Sequence, residues 1–251
     1  MDVTETDEGV VLDTHTGDGR LLLESHPILG DDDPGHEISP VHPAVARAVG
    51  RFGTYRIPRT DNAYHELLPA VLAQRVTAAE AITQWRGLCL AYGAELTVGD
   101  AVLHAPPDPE TLARVPYTDL HLMGIDKRRA DALRAVARYA ERLISGWKAD
   151  LSPAERTQSL TLIPGVGTWT AAIAGYTAFC DPDALEIGDF HVKNTVAYAL
   201  TGRHRGTDDE MVQLLEPYAG QRERVVRMLA MDGWHAPAHG PRRPNVSIAR
   251  L

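Results

Sequence analysis

From about Pro43 to Trp234 the apolar residues recur at helical rather than alternating spacing, and Pro, Gly and Asp/Thr punctuate the runs. The pattern predicts helices near 43–50, 61–74, 77–92, 109–114, 127–145, 152–161, 168–179, 190–201, 208–217 and 221–231. Ahead of them, two short apolar runs read as strands, Gly9–Leu12 and Arg20–Glu24. They flank Gly17-Asp18-Gly19, and Asp-Gly between apolar runs is a hairpin signal. A linker follows over 25–42, with Asp31-Asp32-Asp33-Pro34-Gly35 inside it. Beyond Trp234 the tail HAPAHGPRRPNVSIARL is rich in Pro, Gly and basic residues. Such a composition predicts no regular structure in the absence of a partner. The expected class is mainly α, with an acidic segment at 1–42, a helical domain at 43–234 and a basic tail at 235–251.

The chain has 251 residues, 44% hydrophobic and 24% charged, which fits an ordinary soluble globular protein. No apolar run approaches the ~20 residues a membrane span requires. The start, MDVTETDEG, lacks the basic and apolar parts of a signal peptide. Cys89 and Cys180 stand far apart in no metal-ligand pattern, and both are expected to be buried thiols in a reducing cytoplasm. The eleven histidines show no ligand spacing, so no catalytic metal is expected. The net charge of −9 looks unfavourable for a polyanionic partner. Yet residues 1–40 hold eleven Asp/Glu and one Arg, a net of −10, while the remaining 211 residues carry +1. A near-neutral body can still bind phosphates if its cations cluster on one face. Arg134, Arg138 and Arg142, spaced by four, are one candidate cluster.

The stretch Leu160–Ala172, LTLIPGVGTWTAA, carries more chemistry than any other. An amphipathic segment ends at Pro164-Gly165-Val166-Gly167, and a new helix begins near Thr168. Amides at such a turn and at the next helix start lack intrahelical partners and suit a phosphate oxygen. An ordinary helical hairpin would use the same glycines as caps, so the turn alone leaves both readings open.

LIPGVGTWTA resembles the helix-hairpin-helix motif of base-excision DNA glycosylases. About twenty residues on, Leu185–Val192 (LEIGDFHV) is similar to that superfamily's second signature, with Asp189 just ahead of a helix. YHELLPAVLAQRV (64–76) resembles its early helix and Gln-containing loop, MGIDKRRADALRAVARY (123–139) its central helix, and 222–234 its closing helix. The resemblance covers roughly 43–234, and the nearest subgroup is the bacterial 3-methyladenine DNA glycosylase II type.

The resemblance implies a two-lobed helical fold, the short strands ahead of it, and a monomeric, cytoplasmic, nucleoid-associated enzyme. It would flip a damaged, alkylated base out of double-stranded DNA and hydrolyse its glycosidic bond. Asp189 would be the catalytic carboxylate, although Asp also suits the N-cap of the helix it precedes. Gly165, Val166, Gly167 and Thr168 would hold one backbone phosphate. Carbonyls of Thr161, Ile163 and Val166 would hold a monovalent cation, Na+ or K+, beside it; no other cofactor is implied. Gln74 and Arg75 would enter the gap left by the flipped base, and Lys193 would contact flanking backbone. The base pocket falls on Trp169, Ile173 and Leu229. The subgroup's aromatic sandwich is aliphatic at the last two, with Trp85, Tyr176 and Trp234 as further aromatic candidates. The position of the Schiff-base Lys of bifunctional relatives is Trp169 here, so no lyase step is expected. Two cysteines cannot build the iron–sulfur loop of other relatives. A same-fold glycosylase for an oxidised or deaminated base, and a non-catalytic DNA-binding module, stay open as alternatives.

Overall fold

The computed structural model describes residues 2–6, 9–13, 30–98 and 100–237. In chain order the strands are β1 (Asp2–Thr6), β2 (Gly9–Asp13), β3 (Gly93–Val98) and β4 (Ala101–Pro107). The helices are α1 (Pro43–Phe52), α2 (Ala63–Leu72), α3 (Ala78–Tyr92), α4 (Pro109–Arg114), α5 (Tyr117–Leu122) and α6 (Lys127–Arg138). They continue with α7 (Ala140–Ile144), α8 (Pro153–Ser159), α9 (Thr168–Ala178), α10 (Val192–Thr201), α11 (Asp208–Leu215) and α12 (Arg222–Met231). Short 3-10 turns extend α8 and α11, at Leu160–Leu162 and Glu216–Tyr218.

Local chemistry sets most of the helix starts. Asn62, Thr77, Asp108 and Asp126 each accept a backbone N–H of the first turn that follows. Ser152 with Glu155, and Thr207 with Glu210, form reciprocal capping boxes. The expected mainly helical class holds, with four departures in detail. The helix expected over 127–145 is divided by a turn at Tyr139. A helix not predicted, α5, fills the segment before Met123. The strand at Gly9 is present and pairs antiparallel with Asp2–Thr6, a strand not predicted. The other expected strand, Arg20–Glu24, and its Gly17-Asp18-Gly19 turn lie outside the described residues, as does the tail beyond 237.

The fourth departure is the antiparallel pair β3–β4. Glu95 faces His104 and Thr97 faces Val102; AELTV (94–98) alternates apolar and polar residues, a short period-two signal masked by the neighbouring helices. Gly93 enters it so closely that a Cβ would lie 1.8 Å from the Ala105 carbonyl oxygen. The Tyr64 hydroxyl donates to Pro107 O (2.8 Å) and pins the hairpin to α2.

Two hydrophobic cores define two lobes. The first is continuous in sequence, from Ala63 to Phe179, and packs α2, α3, α4, α6, α7 and α9 around Leu67, Leu68, Leu88, Leu133 and Leu160. Its polar hub is Arg129, 3% exposed, which donates to the carbonyls of Leu72 and Gly124 and to Gln84 Oε1. A buried guanidinium is tolerable only when its donors are satisfied in this way. The second lobe draws on both ends of the helical domain, α1 with α10, α11 and α12, around Val45, Val196, Met211, Leu215 and Leu229.

A smaller cluster of Ile57, Ala172, Tyr176 and Ala184 joins the lobes. The strap 55–61 runs along the end of α9, where Thr60 N and Asp61 N donate to the carbonyls of Thr177 and Ala178. Asp33 and Arg224, each 1% exposed at the side chain, form a twofold ion pair of 2.7 and 2.8 Å. Asp33 also accepts the N–H groups of Ile57 (2.7 Å) and Gly35 (2.9 Å). Arg224 and these amides hold its carboxyl below the usual carboxylate range although burial works against them. The linker is therefore tied to α12 and to the strap at one point.

Candidate active site at the junction of the lobes

The first lobe presents the hairpin. After α8 and its 3-10 turn, Val166 N closes a turn on Ile163 O (3.0 Å), and both side chains are buried. Pro164, Gly165, Gly167 and Thr168 stay exposed at the tip. Gly167 is the N-cap of α9, and no side chain caps that end. The first-turn amides of an 11-residue helix therefore face outward without a side-chain acceptor, which is the requirement for binding an anion.

The two glycines differ. Gly165 has φ +86°, and a Cβ there would lie 2.5 Å from Ala132 Cβ on α6. Gly167 has φ −90° and open space around it. Gly165 thus serves packing and turn geometry, while Gly167 leaves its surroundings free for a partner. Gly167→Ala is expected to fold normally and to weaken binding to damaged and undamaged duplexes alike. The slope of log K against log salt should flatten by about 0.9, one phosphate contact. Gly165→Ala is expected to lose stability as well. Unchanged affinity and salt slope in folded Gly167→Ala would make the hairpin a purely structural turn.

The loop 73–77 leans on this hairpin. Gln74 donates its side-chain amide to Gly165 O (3.0 Å) and to the Thr170 hydroxyl (2.9 Å). Its amide is thus engaged within the protein. Arg75 is exposed with φ +60°, a conformation that costs an L-residue roughly 1–2 kcal/mol. Strain of this kind concentrates where a side chain must be aimed.

Asp189 reaches this region from the second lobe, in the loop between α9 and α10. One carboxylate oxygen accepts the backbone N–H groups of His191 (2.6 Å) and Val192 (2.8 Å), at the start of α10. The other accepts the indole N–H of Trp169 (3.2 Å), on the first turn of α9. Capping and a functional orientation are therefore compatible: one oxygen holds the helix, and the other is fixed against the opposite lobe. Lys193 is in an ion pair with Asp208 (3.0 Å), whose second oxygen accepts Gly188 N (2.9 Å). These two bonds hold the Asp208 carboxyl below its usual range against a burial penalty. Lys193 thus braces the turn that carries Asp189 and is only partly exposed to an outside phosphate.

The expected base-pocket residues separate. Trp169 is half-buried and bonded to Asp189. Ile173, one helical turn later, lines an open cavity of about 310 Å³ between α2, α3 and α9, with Pro69, Ala73, Ile82, Trp85 and Glu66. Burial pushes the Glu66 carboxyl up there. Leu229 is fully buried in the second core, so it cannot line a pocket. Its α12 position points inward because Val225, Val226, Met228 and Leu229 form the buried face of that helix. Of the other aromatic candidates, Tyr176 is buried at the junction, and Trp234 packs on the second core under Arg47.

Arg134 is turned inward, donating to Val115 O (2.6 Å), and the break at Tyr139 separates Arg142 from Arg138, so the three do not form one continuous stripe. Cys89 is buried and Cys180 only half-buried. Among the described residues no three His, Cys, Asp or Glu side chains are grouped to hold a metal, and no helix is long and apolar enough to cross a membrane.

A polar cluster that the sequence reading did not single out lies beside Asp189: Glu186, Glu223, Arg227 and Tyr176. Its one local signal is the i, i+4 pair Glu223–Arg227 on α12.

No family model matches the chain. It is 34% identical over 153 residues to the "Probable bifunctional transcriptional activator/DNA repair enzyme AlkA" of Mycobacterium tuberculosis, a match covering 60% of this chain and 30% of the relative. It is 22% identical over 206 residues to the DNA-3-methyladenine glycosylase of Bacillus subtilis, covering 79% of this chain and 66% of that protein. The chain thus spans less than a third of the mycobacterial relative. Among solved structures, the 3-methyladenine DNA glycosylase of Archaeoglobus fulgidus shares the fold at a TM-score of 0.71 and 14% identity, over 92% of this chain and 81% of that one.

Proposed function

From a chain with the fold and the sequence likeness of helix-hairpin-helix DNA glycosylases, we propose that it excises an alkylated base from double-stranded DNA by hydrolysing the glycosidic bond. The observation that carries this reading is Asp189, a carboxylate fixed by two backbone amides and an indole beside an uncapped hairpin helix. A pure binding module needs no such acid.

The hairpin amides hold one phosphate and set the register of the duplex without reading sequence. Arg75, exposed on the strained loop, fills the space vacated by the extruded nucleotide. Unstacking costs a few kcal/mol, least for a damaged base. As the glycosidic bond breaks, the sugar gains oxocarbenium character. The oxygen of Asp189 facing Trp169 stabilises that charge and orients the attacking water. Because His191 and Val192 already hold the other oxygen, little reorganisation accompanies the step.

A monovalent cation at the carbonyls of Thr161, Ile163 and Val166 fits the donor set in part. The Ile163 carbonyl accepts Val166 N, which leaves it one lone pair. When bound, the ion would add positive charge beside the phosphate.

The enzyme is monofunctional on this reading, since an indole at position 169 cannot form a Schiff base. A duplex carrying one lesion should yield an intact abasic strand, nicked only after hot alkali. Borohydride should trap no covalent protein–DNA adduct. Robust trapping, abolished by replacing a lysine such as Lys193, would overturn the monofunctional assignment.

A further inference from the structure

Beside Asp189 the junction buries ionisable groups that neither the hairpin nor the cap requires. Glu223 is 1% exposed and Glu186 8%. Arg227 donates Nε to Glu223 Oε1 (2.7 Å) and Nη2 to Glu186 Oε1 (2.7 Å). Its guanidinium lies 4.9 Å from the ring centroid of Tyr176, whose hydroxyl is 2.6 Å from that of Tyr55. The second oxygen of Glu223 is buried without any hydrogen-bond partner. A carboxylate oxygen in that state is uncommon, because desolvation without a partner is costly.

The cluster and Asp189 form one unit. Asp189 N donates to Glu186 O (3.1 Å), so both acids sit on one turn. Across from them, α9 supplies Trp169 to Asp189 and Tyr176 to Arg227. Those two positions are seven residues apart, about 10 Å along one face of the helix. Three carboxyls, of Asp189, Glu186 and Glu223, stand against one guanidinium. Lys193, beside the same turn, is paired with Asp208, and on α12 Arg224 is paired with Asp33 and Arg222 with Asp183. Burial, then the charges of Glu186 and Asp189, push Glu223 up to about 8 despite Arg227. The cluster therefore holds more acidic than basic groups, and its negative charge grows as Glu223 ionises around pH 8. In a poorly solvated junction that excess favours an incoming cation.

We propose that Glu223, with Glu186 and Arg227, is a specificity-determining group of this site: it keeps the floor beside Asp189 electronegative and so selects bases that carry positive charge. The inference rests on the glycosylase reading above. It supplies a physical basis for choosing a cationic alkylated base where Ile173 and the buried Leu229 offer no pair of aromatic rings.

The test compares single-turnover release of cationic 3-methyladenine and neutral hypoxanthine from duplex DNA, at pH 6.5 and 8.5. In the wild-type protein the preference for 3-methyladenine should rise with pH as Glu223 ionises. Glu223→Gln keeps the shape and removes the charge. It should lower that preference about tenfold at pH 8.5 and change it little at pH 6.5, as expected for one charge. Arg227, Glu186, Asp189, Tyr176 and Tyr55 are unaltered in this variant, so the difference reports Glu223. Should Glu223→Gln not fold, Glu186→Gln is expected to shift the preference the same way at both pH values. If hypoxanthine release is undetectable, the pH profile of 3-methyladenine release decides, since a merely structural Glu223 leaves that profile unmoved. Equal slowing of both bases, an unmoved pH profile, or a wild-type preference for hypoxanthine would overturn the inference alone. Release of neither base by the wild-type protein would overturn the glycosylase reading and the inference with it.

Discussion

Asp189→Asn is expected to slow base release by about 10²–10³-fold, the effect of removing one preorganised group from a developing charge, ~3–4 kcal/mol. The fold should survive. The side-chain oxygen of Asn can still accept from His191 N and Val192 N, so the start of α10 keeps its cap. What changes is the second oxygen, replaced by an amide nitrogen that can neither carry charge nor accept from the Trp169 indole. Trp169→Phe is the control. It removes the same hydrogen bond and leaves the carboxylate charged, so release should fall only a few-fold, in line with about 1 kcal/mol for one hydrogen bond. DNA affinity should be near normal for both variants. Near-normal turnover by Asp189→Asn would reduce Asp189 to a helix cap.

The second large effect concerns stability. Asp33→Ala is expected to cost about 3–5 kcal/mol in chemical denaturation, because it strands the buried guanidinium of Arg224. Ile57 N and Gly35 N lose their acceptor as well. Arg224→Met should cost a similar amount, and the double variant much less than the sum, since a neutral pair removes the stranded charge. The pH dependence has a definite sign. Arg224 and the two amides hold Asp33 below the usual carboxylate range, so its contribution is present above that range and lost as pH falls through the lower folded value. A loss below 1 kcal/mol in both single variants would mean that the strap and linker dock without this pair.

What was legible in the sequence was local. The turn Pro164–Gly167 and the acid Asp189 stand within one hairpin and loop of each other, and it was the resemblance of these two spaced segments to the glycosylase signatures that paired them. Helix starts were readable because Asn62, Thr77, Asp126 and Ser152 bond to backbone only two or three residues away. What was not legible depends on long-range packing. Glu186 meets Arg227 across 41 residues, and Asp33 meets Arg224 across 191. Nothing in a local window distinguishes Leu229 facing a pocket from Leu229 facing a core, and the second lobe decides it. The β3–β4 pair was missed because an alternating run of a few residues between helices carries a weak signal beside theirs. The bonds of Gln74 to Gly165 and Thr170 were not legible, since those acceptors lie on a distant segment.

The most direct measurement incubates the full chain with methylated duplex DNA and identifies the free bases by mass spectrometry, with Asp189→Asn in parallel. The account predicts free 3-methyladenine from the wild-type protein, an intact abasic strand left behind, and release at least a hundredfold slower from the variant, about 3 kcal/mol. Absence of any released base from a folded protein that still binds the duplex would contradict it, and the chain would then be a binding module.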